Sequence, residues 1–233
     1  MELPRGYSRI KLVHSFEELL TTPLEGDVNA LCWCREFPGD FREVAKLVEG
    51  EPGIVKLEES ALLALSLSRE GRVARDAMLG DLELLRSADL LPELDCVTGT
   101  VREEAEGAFP TDVYSFHADS ATVPADTYLC SYTGACSEGL RNDEAICRVD
   151  VPETRAELLA LYGGGDDEGF REFLNENFYD LHYVPLADAR PFAFGLHNLW
   201  RIALEYPGSP VPPCIHRAPM TVPGDLSRLL MLS

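Results

Sequence analysis

Along the first third of the chain apolar positions recur at helical spacing, and beyond about residue 98 they fall into short β-like runs separated by turn residues. Ser15 stands three residues before Glu18 and Asp40 three before Glu43, the spacing at which a side-chain oxygen caps a helix start and a glutamate reaches back. Helices are expected to begin at both. Between them residues 28–34 form a short apolar run with Trp33, which reads as a strand, and Gly50, Pro52 and Gly53 stop the second helix. Residues 61–68 and 73–85 keep the 3.6-residue period, with Met78, Leu82 and Leu85 on one stripe. Two amphipathic helices should therefore lie against something larger.

Strands are expected at 112–120, 127–133, 145–151, 192–200, 214–218 and 228–232. Helical patterns at 154–162 and 168–178 interrupt them, separated by Gly163, Gly164 and Gly165. Two aspartates and no lysine follow these glycines, so the segment reads as a loop and not as a phosphate cradle. Helices followed by antiparallel strands indicate an α+β chain whose sheets form a barrel or double-stranded roll. The expected organisation is one domain over 1–233, with a helical N-terminal support (1–97) and a β-roll core (98–233) carrying a helical insert at 154–178.

Composition narrows the functional classes. The 233 residues carry 20 Lys+Arg against 40 Asp+Glu, a formal charge of −20, which disfavours a phosphate-neutralising surface and hence nucleic acid. Lysine occurs only at 11, 46 and 56, so arginine dominates the basic set and suits bidentate carboxylate pairing. Apolar residues at 45% and charged ones at 26% exclude disordered and fibrous classes. A chain of this length buries roughly 70–75% of its unfolded surface, leaving room for a cavity. Residues 1–20 lack an apolar leader core, and no run approaches the ~18 apolar residues of a membrane span; a cytoplasmic protein is expected. The seven cysteines, odd in number and without a CxxC pair, read as reduced thiols, with Cys32 and Cys34 packing as small apolar groups.

The segment Tyr114-Ser-Phe-His117-Ala-Asp119 carries the most chemistry. On a strand, positions i and i+2 share a face, so His117 and Asp119 point one way and Phe116 and Ala118 the other. A second histidine, His216, lies in Pro213-Cys-Ile-His-Arg-Ala-Pro219, a separation of 216 − 119 = 97 residues. Two histidines and one carboxylate hold Fe(II) on one face and leave positions open. His197 is an alternative distal ligand on an apolar run. His182 and His14 stand in polar or loop-like settings and read as solvated. Cys214 shares a face with His216, and Tyr128 and Trp200 read as core.

This order of His-x-Asp, β-rich interval, second His and a basic residue on the last strand resembles the Fe(II)/2-oxoglutarate-dependent dioxygenase superfamily, over roughly residues 114–232. The segments FHAD, SYTGA and IHRAP also resemble a bacterial domain family of uncharacterised function. The superfamily resemblance implies a double-stranded β-helix of the jelly-roll or cupin-like kind, with N-terminal helices packed on it. It also implies Fe(II) on His117, Asp119 and His216, 2-oxoglutarate as co-substrate, and hydroxylation of a small molecule. Asp119 fills the position that halogenating members leave open for halide, which favours hydroxylation. By resemblance Arg228, 228 − 216 = 12 residues past the distal histidine, anchors the far carboxylate of 2-oxoglutarate. Arg217 is its rival, and alternation turns it away from the pocket if His216 faces in. Tyr132 is the expected hydrogen-bond partner of the co-substrate. The acidic chain favours neutral or cationic substrates such as amino-acid-like molecules. A cupin-like metal protein without 2-oxoglutarate would leave Arg228 facing solvent or an acid, and a non-enzymatic binding module would keep His117 and His216 far apart.

Overall fold

The computed structural model describes residues 3–99, 108–221 and 224–233. Four strands arise before residue 99: β1 (Ile10–Val13), β2 (Ala30–Trp33), β3 (Gly53–Lys56) and β4 (Glu93–Thr98). Between them lie α1 (Phe16–Thr21), α2 (Phe41–Val48), α3 (Glu59–Leu63) and α4 (Arg69–Arg86). Both anticipated caps form, Ser15 accepting from Glu18 N at 3.1 Å and Asp40 from Glu43 N at 3.0 Å. The Glu43 carboxylate turns to the N–H of Ser68, the residue that caps α4. The helical run expected at 61–68 is only the short α3, because α4 already begins at Arg69.

The later strands are β5 (Asp126–Ser131), β6 (Glu138–Leu140), β7 (Ala145–Cys147), β8 (Tyr183–Pro185), β9 (Phe192–Ala193), β10 (Leu199–Ala203), β11 (Ile215–Arg217) and β12 (Arg228–Leu232). Helices α5 (Pro152–Tyr162) and α6 (Glu168–Glu176) form the insert, and Gly163 ends α5 in the left-handed conformation at φ 75°. The single strand expected at 192–200 is two, since Gly195 and His197 take positive φ and turn the chain between them. The segment 112–120 is not a regular strand. It contributes isolated bridges, from His117 to both His182 and His216.

The chain is thus mixed α+β, around a seven-stranded sheet in the order β1-β2-β10-β5-β12-β4-β3. Only the β1–β2 pair is parallel in it. The first third is more than a helical support, because it supplies both edges and two inner strands. One sheet face, with Tyr128, Cys130, Leu229 and Met231, packs on Val44, Met78, Leu82 and Leu85 of the helices. The other, with Leu129, Trp200 and Ile202, packs on Phe192, Phe194 and Cys214 around a second sheet ordered β11-β6-β9. Gly139 of β6 lies directly beneath Phe192 and Phe194, where an added Cβ would stand 2.3 Å from the Phe192 ring. The insert has its own small core of Leu158, Phe170, Leu174 and Tyr179. No helix among the described residues is long and apolar enough to cross a membrane.

Candidate metal centre

His117 and His216 face one another in an antiparallel bridge, each N–H donating to the other's carbonyl at 2.9 Å. Directly opposed residues share a face, and the two imidazoles meet with ring centroids 4.6 Å apart. Asp119, two residues after His117, presents its carboxylate to both. Oδ1 stands 3.5 Å from His117 Nε2, and Oδ2 stands 3.7 Å from His216 Nε2. One ligand atom from each residue lies within 4.8 Å of the others. Cis ligands of a six-coordinate ion with bonds of about 2.1 Å are about 3 Å apart, so small side-chain motions bring these three onto one cation.

The ligand atoms are pre-set by their neighbours. His117 Nδ1 lies 2.9 Å from Ser115 O and His216 Nδ1 lies 3.2 Å from Cys214 O. A carbonyl only accepts, so each Nδ1 carries the hydrogen and each Nε2 keeps its lone pair toward the cavity. Thr127 Oγ1 donates to Asp119 Oδ2 at 2.8 Å. Burial alone would raise the Asp119 carboxyl, but His117 and His216 in their protonated forms, with the Thr127 hydroxyl, outweigh it and hold it well below the usual carboxylate range, and a cation on the two Nε2 atoms would take the place of those protons. Burial pushes the His216 imidazole down against the opposing pull of Asp119, favouring the neutral, ligating form. The donor set of two imidazole nitrogens and a carboxylate suits Fe(II) and leaves the cavity side open.

These three residues line a cavity of about 500 Å³ together with Arg228. Arg228 is 2% exposed. Its Nε donates to Ala135 O at 2.8 Å, while its Nη2 is buried without a hydrogen-bond partner among the described residues. Burial lowers its guanidinium to about 10, opposed by Tyr114 and Cys136. The segment Ser131-Tyr-Thr-Gly-Ala135 forms its cradle. Thr133 Oγ1 donates to Ser227 O at 2.9 Å and accepts from Leu229 N at 2.9 Å, clamping the strand on both sides of Arg228. Gly134, at φ 71°, lets the turn approach, since a Cβ there would meet Leu226 O at 2.8 Å and Arg228 Cγ at 3.0 Å. Sequence reading missed Thr127, Thr133 and Gly134 as parts of the site. For Thr133 and Gly134 the signal was the small Thr-Gly-Ala turn after a strand, which needs a close-packed neighbour to be meaningful, and Thr127 gave none.

Several other candidates lie elsewhere. Tyr132 points to the helix side of the sheet, stacked on Phe41, with its hydroxyl donating to Asp81 Oδ2 at 2.7 Å. Thr127 and Leu129 line the cavity, so strand alternation carries Tyr128 and Tyr132 to the opposite face and removes Tyr132 from co-substrate contact. His197 packs on Phe41 at 4.5 Å on that same far side and takes no part in the cluster. His182 is buried and not solvated, its Nδ1 against Phe178 O at 2.9 Å and its ring 5.9 Å from His117. Arg217 is turned away, bound to Glu138 at 2.6 Å and lying over the Phe116 ring. The insert helices do not wall the main cavity, whose lining includes no residue from either. Comparison with protein-family models, curated proteins and solved structures gives no match to this chain.

Proposed function

We propose that the protein is an Fe(II)/2-oxoglutarate-dependent oxygenase that hydroxylates a small molecule. The observation that carries this reading is Arg228, a buried guanidinium whose Nη2 has no partner among the described residues, in the same cavity as the His117, Asp119 and His216 cluster. A buried cation without a counter-ion is unfavourable, and a dicarboxylate spanning from metal to guanidinium would supply one through a charge-assisted, bidentate contact. Strand order supports the same reading. Four neighbouring strands of the large sheet, β4-β12-β5-β10, lie beside one another, and the three-stranded β11-β6-β9 sheet is extended at one residue by the His117 bridge; a double-stranded β-helix would set two four-stranded sheets face to face.

Bound here, iron and 2-oxoglutarate would supply a reaction with dioxygen in which one oxygen atom enters the succinate formed as CO2 is lost and the other enters a substrate C–H bond. His117 and His216 hold neutral imidazoles toward the ion, and Asp119 holds an ionised carboxylate steadied by Thr127. Arg228 orients the co-substrate by its far carboxylate. Val97, Leu129 and Leu230 give the cavity apolar walls that exclude water from the reacting groups. The cupin-like reading without 2-oxoglutarate requires Arg228 at solvent or on an acid. Its burial and its lack of a carboxylate neighbour among the described residues speak against that.

The test is anaerobic titration of metal-free protein with Fe(II) and then 2-oxoglutarate, following the weak visible charge-transfer band of the chelate. The band is expected in the wild type and in Arg217→Ala, and lost in Arg228→Ala. Its absence from wild-type protein that has retained iron would refute the proposal.

A further inference from the structure

The outer half of the same cavity is built for a different charge from its inner half. Strands β12 and β4 run antiparallel with Arg228 opposite Val97, Leu230 opposite Asp95 and Leu232 opposite Glu93. Opposed residues share a face, and all six line the cavity. Two residues along a strand advance it by about 6.8 Å, which sets Asp95 about 7 Å and Glu93 about 14 Å along the sheet from Arg228. Cation and carboxylates therefore occupy successive levels of one wall.

The two carboxylates are not equivalent. Lys56 of β3, the register partner of Asp95, is committed to Glu93 at 2.5 Å. The Asp95 carboxylate makes no hydrogen bond or ion pair among the described residues. Burial and the nearby Glu93 charge raise its carboxyl and outweigh the Lys56 charge that lowers it, so a further cation placed beside it would be welcomed. Around it the rim is apolar and open, with Leu91 at 87%, Ile54 at 68% and Val113 at 51% exposure. A single unpaired carboxylate in an apolar rim recognises an ammonium group on a hydrocarbon body. It repels an anion and gives a neutral alcohol little to replace its lost hydration.

We infer that the substrate of this cavity is a small apolar amine, its ammonium group docked on Asp95 and its hydrocarbon body on Ile54, Leu91 and Val113. What becomes of the amine rests on the oxygenase reading above; where it binds does not. Asp95 then determines specificity and takes no part in metal or co-substrate binding.

The experiment is calorimetric titration, under anaerobic conditions, of protein with and without Fe(II) and 2-oxoglutarate, using n-octylamine, n-octanol and n-octanoate as probes. Octylamine is expected to bind about tenfold more tightly than octanol, with octanoate weaker still. Asp95→Asn and Asp95→Leu should reduce octylamine to the octanol level. Asp76→Asn, an exposed α4 residue paired with Arg75, should leave the preference intact and so controls for net charge. Equal binding of the three probes by the wild type, or a preference that survives in both Asp95 variants, would overturn the inference. So would competition between octylamine and 2-oxoglutarate, which would mean that one zwitterion spans Arg228 and Asp95. The charge-transfer band read on the same samples separates the two proposals. A missing band with the amine preference intact removes the oxygenase and leaves the amine site supported, whereas a band without the preference does the reverse.

Discussion

Replacing Arg228 by methionine should leave the metal-free protein at least as stable as the wild type while abolishing its response to 2-oxoglutarate. Arg228 is 2% exposed, and burial lowers its guanidinium to about 10, a penalty on the charged form of about 3 kcal/mol. Against this stands one hydrogen bond, Nε to Ala135 O at 2.8 Å, which as a bond from a charged donor contributes about 1.5–3 kcal/mol. Methionine retains the length and apolar stem, so the balance is a net gain of about 0–2 kcal/mol. For a chain of this size that corresponds to a rise in Tm of about 0–8 °C. Scanning calorimetry of metal-free protein reads it directly. With Fe(II) and 2-oxoglutarate at about 100 times Kd the wild type should gain about 2.7 kcal/mol more, and the variant only what iron alone provides. A loss of more than about 2 kcal/mol in Arg228→Met would show that the guanidinium is held by structure and not reserved for an anion. A co-substrate-dependent rise in the variant would refute its role as anchor.

Arg35, whose side chain is also buried, should behave in the opposite way. Arg35 is 5% and Asp81 2% exposed at the side chain, joined at 2.5 and 2.8 Å, so Asp81→Asn should cost about 3–5 kcal/mol in urea unfolding by leaving Arg35 uncompensated. Thr127→Val removes the hydroxyl that steadies Asp119 and should weaken Fe(II) about 10- to 100-fold in anaerobic titration without changing the unfolding midpoint by much. Gly134→Ala forces a Cβ at φ 71° against Leu226 O and Arg228 Cγ; it should cost about 1–3 kcal/mol and weaken 2-oxoglutarate, while Fe(II) binding is kept. Burial lowers the His182 imidazole, so below about pH 6.5 the unfolded chain takes up a proton that the folded chain refuses, and stability falls as pH falls. His182→Phe should remove up to about 1.4 kcal/mol of the loss between about pH 7.5 and 5.5, and an unchanged slope in urea melts would contradict this.

Local signals were legible in the sequence wherever local physics decides the outcome. The caps at Ser15 and Asp40 form because their side-chain oxygens need only a neighbour three residues on. Strand β12 has the expected bounds, and the stripe of Met78, Leu82 and Leu85 is buried as its period requires. His117, Asp119 and His216 were singled out by residue type, and the structure brings them together. What the sequence could not supply was the phase of one sheet relative to another. Tyr132 and Arg228 are both polar groups buried on neighbouring strands, yet one faces the helices and the other the cavity, and only the β5–β12 pairing decides which. Strand β4 was missed because residues 86–97, between the helix expected at 73–85 and the β-like runs from about 98, were assigned no element, although Glu93, Leu94, Asp95 and Cys96 alternate cleanly. The 112–120 segment was read as a strand, but it pairs only at isolated residues, His117 with His182 and His216, and Ser120 with Glu205.

The position of β12 in the sheet bears on how the molecule is assembled. Strands β3 and β4 form a ribbon at one side and β1, β2, β10 and β5 a second group, and β12 is the strand between them. Its pairing of Arg228 with Val97 closes a loop of about 130 residues, an entropic demand met only when most of the intervening chain is already ordered. The two halves of the sheet are therefore expected to join late, and the wall bearing Arg228 and Asp95 comes into being in that same event. A half-formed protein would hold neither the guanidinium nor the carboxylate in place, so the appearance of co-substrate binding during refolding would time the closing of the sheet itself.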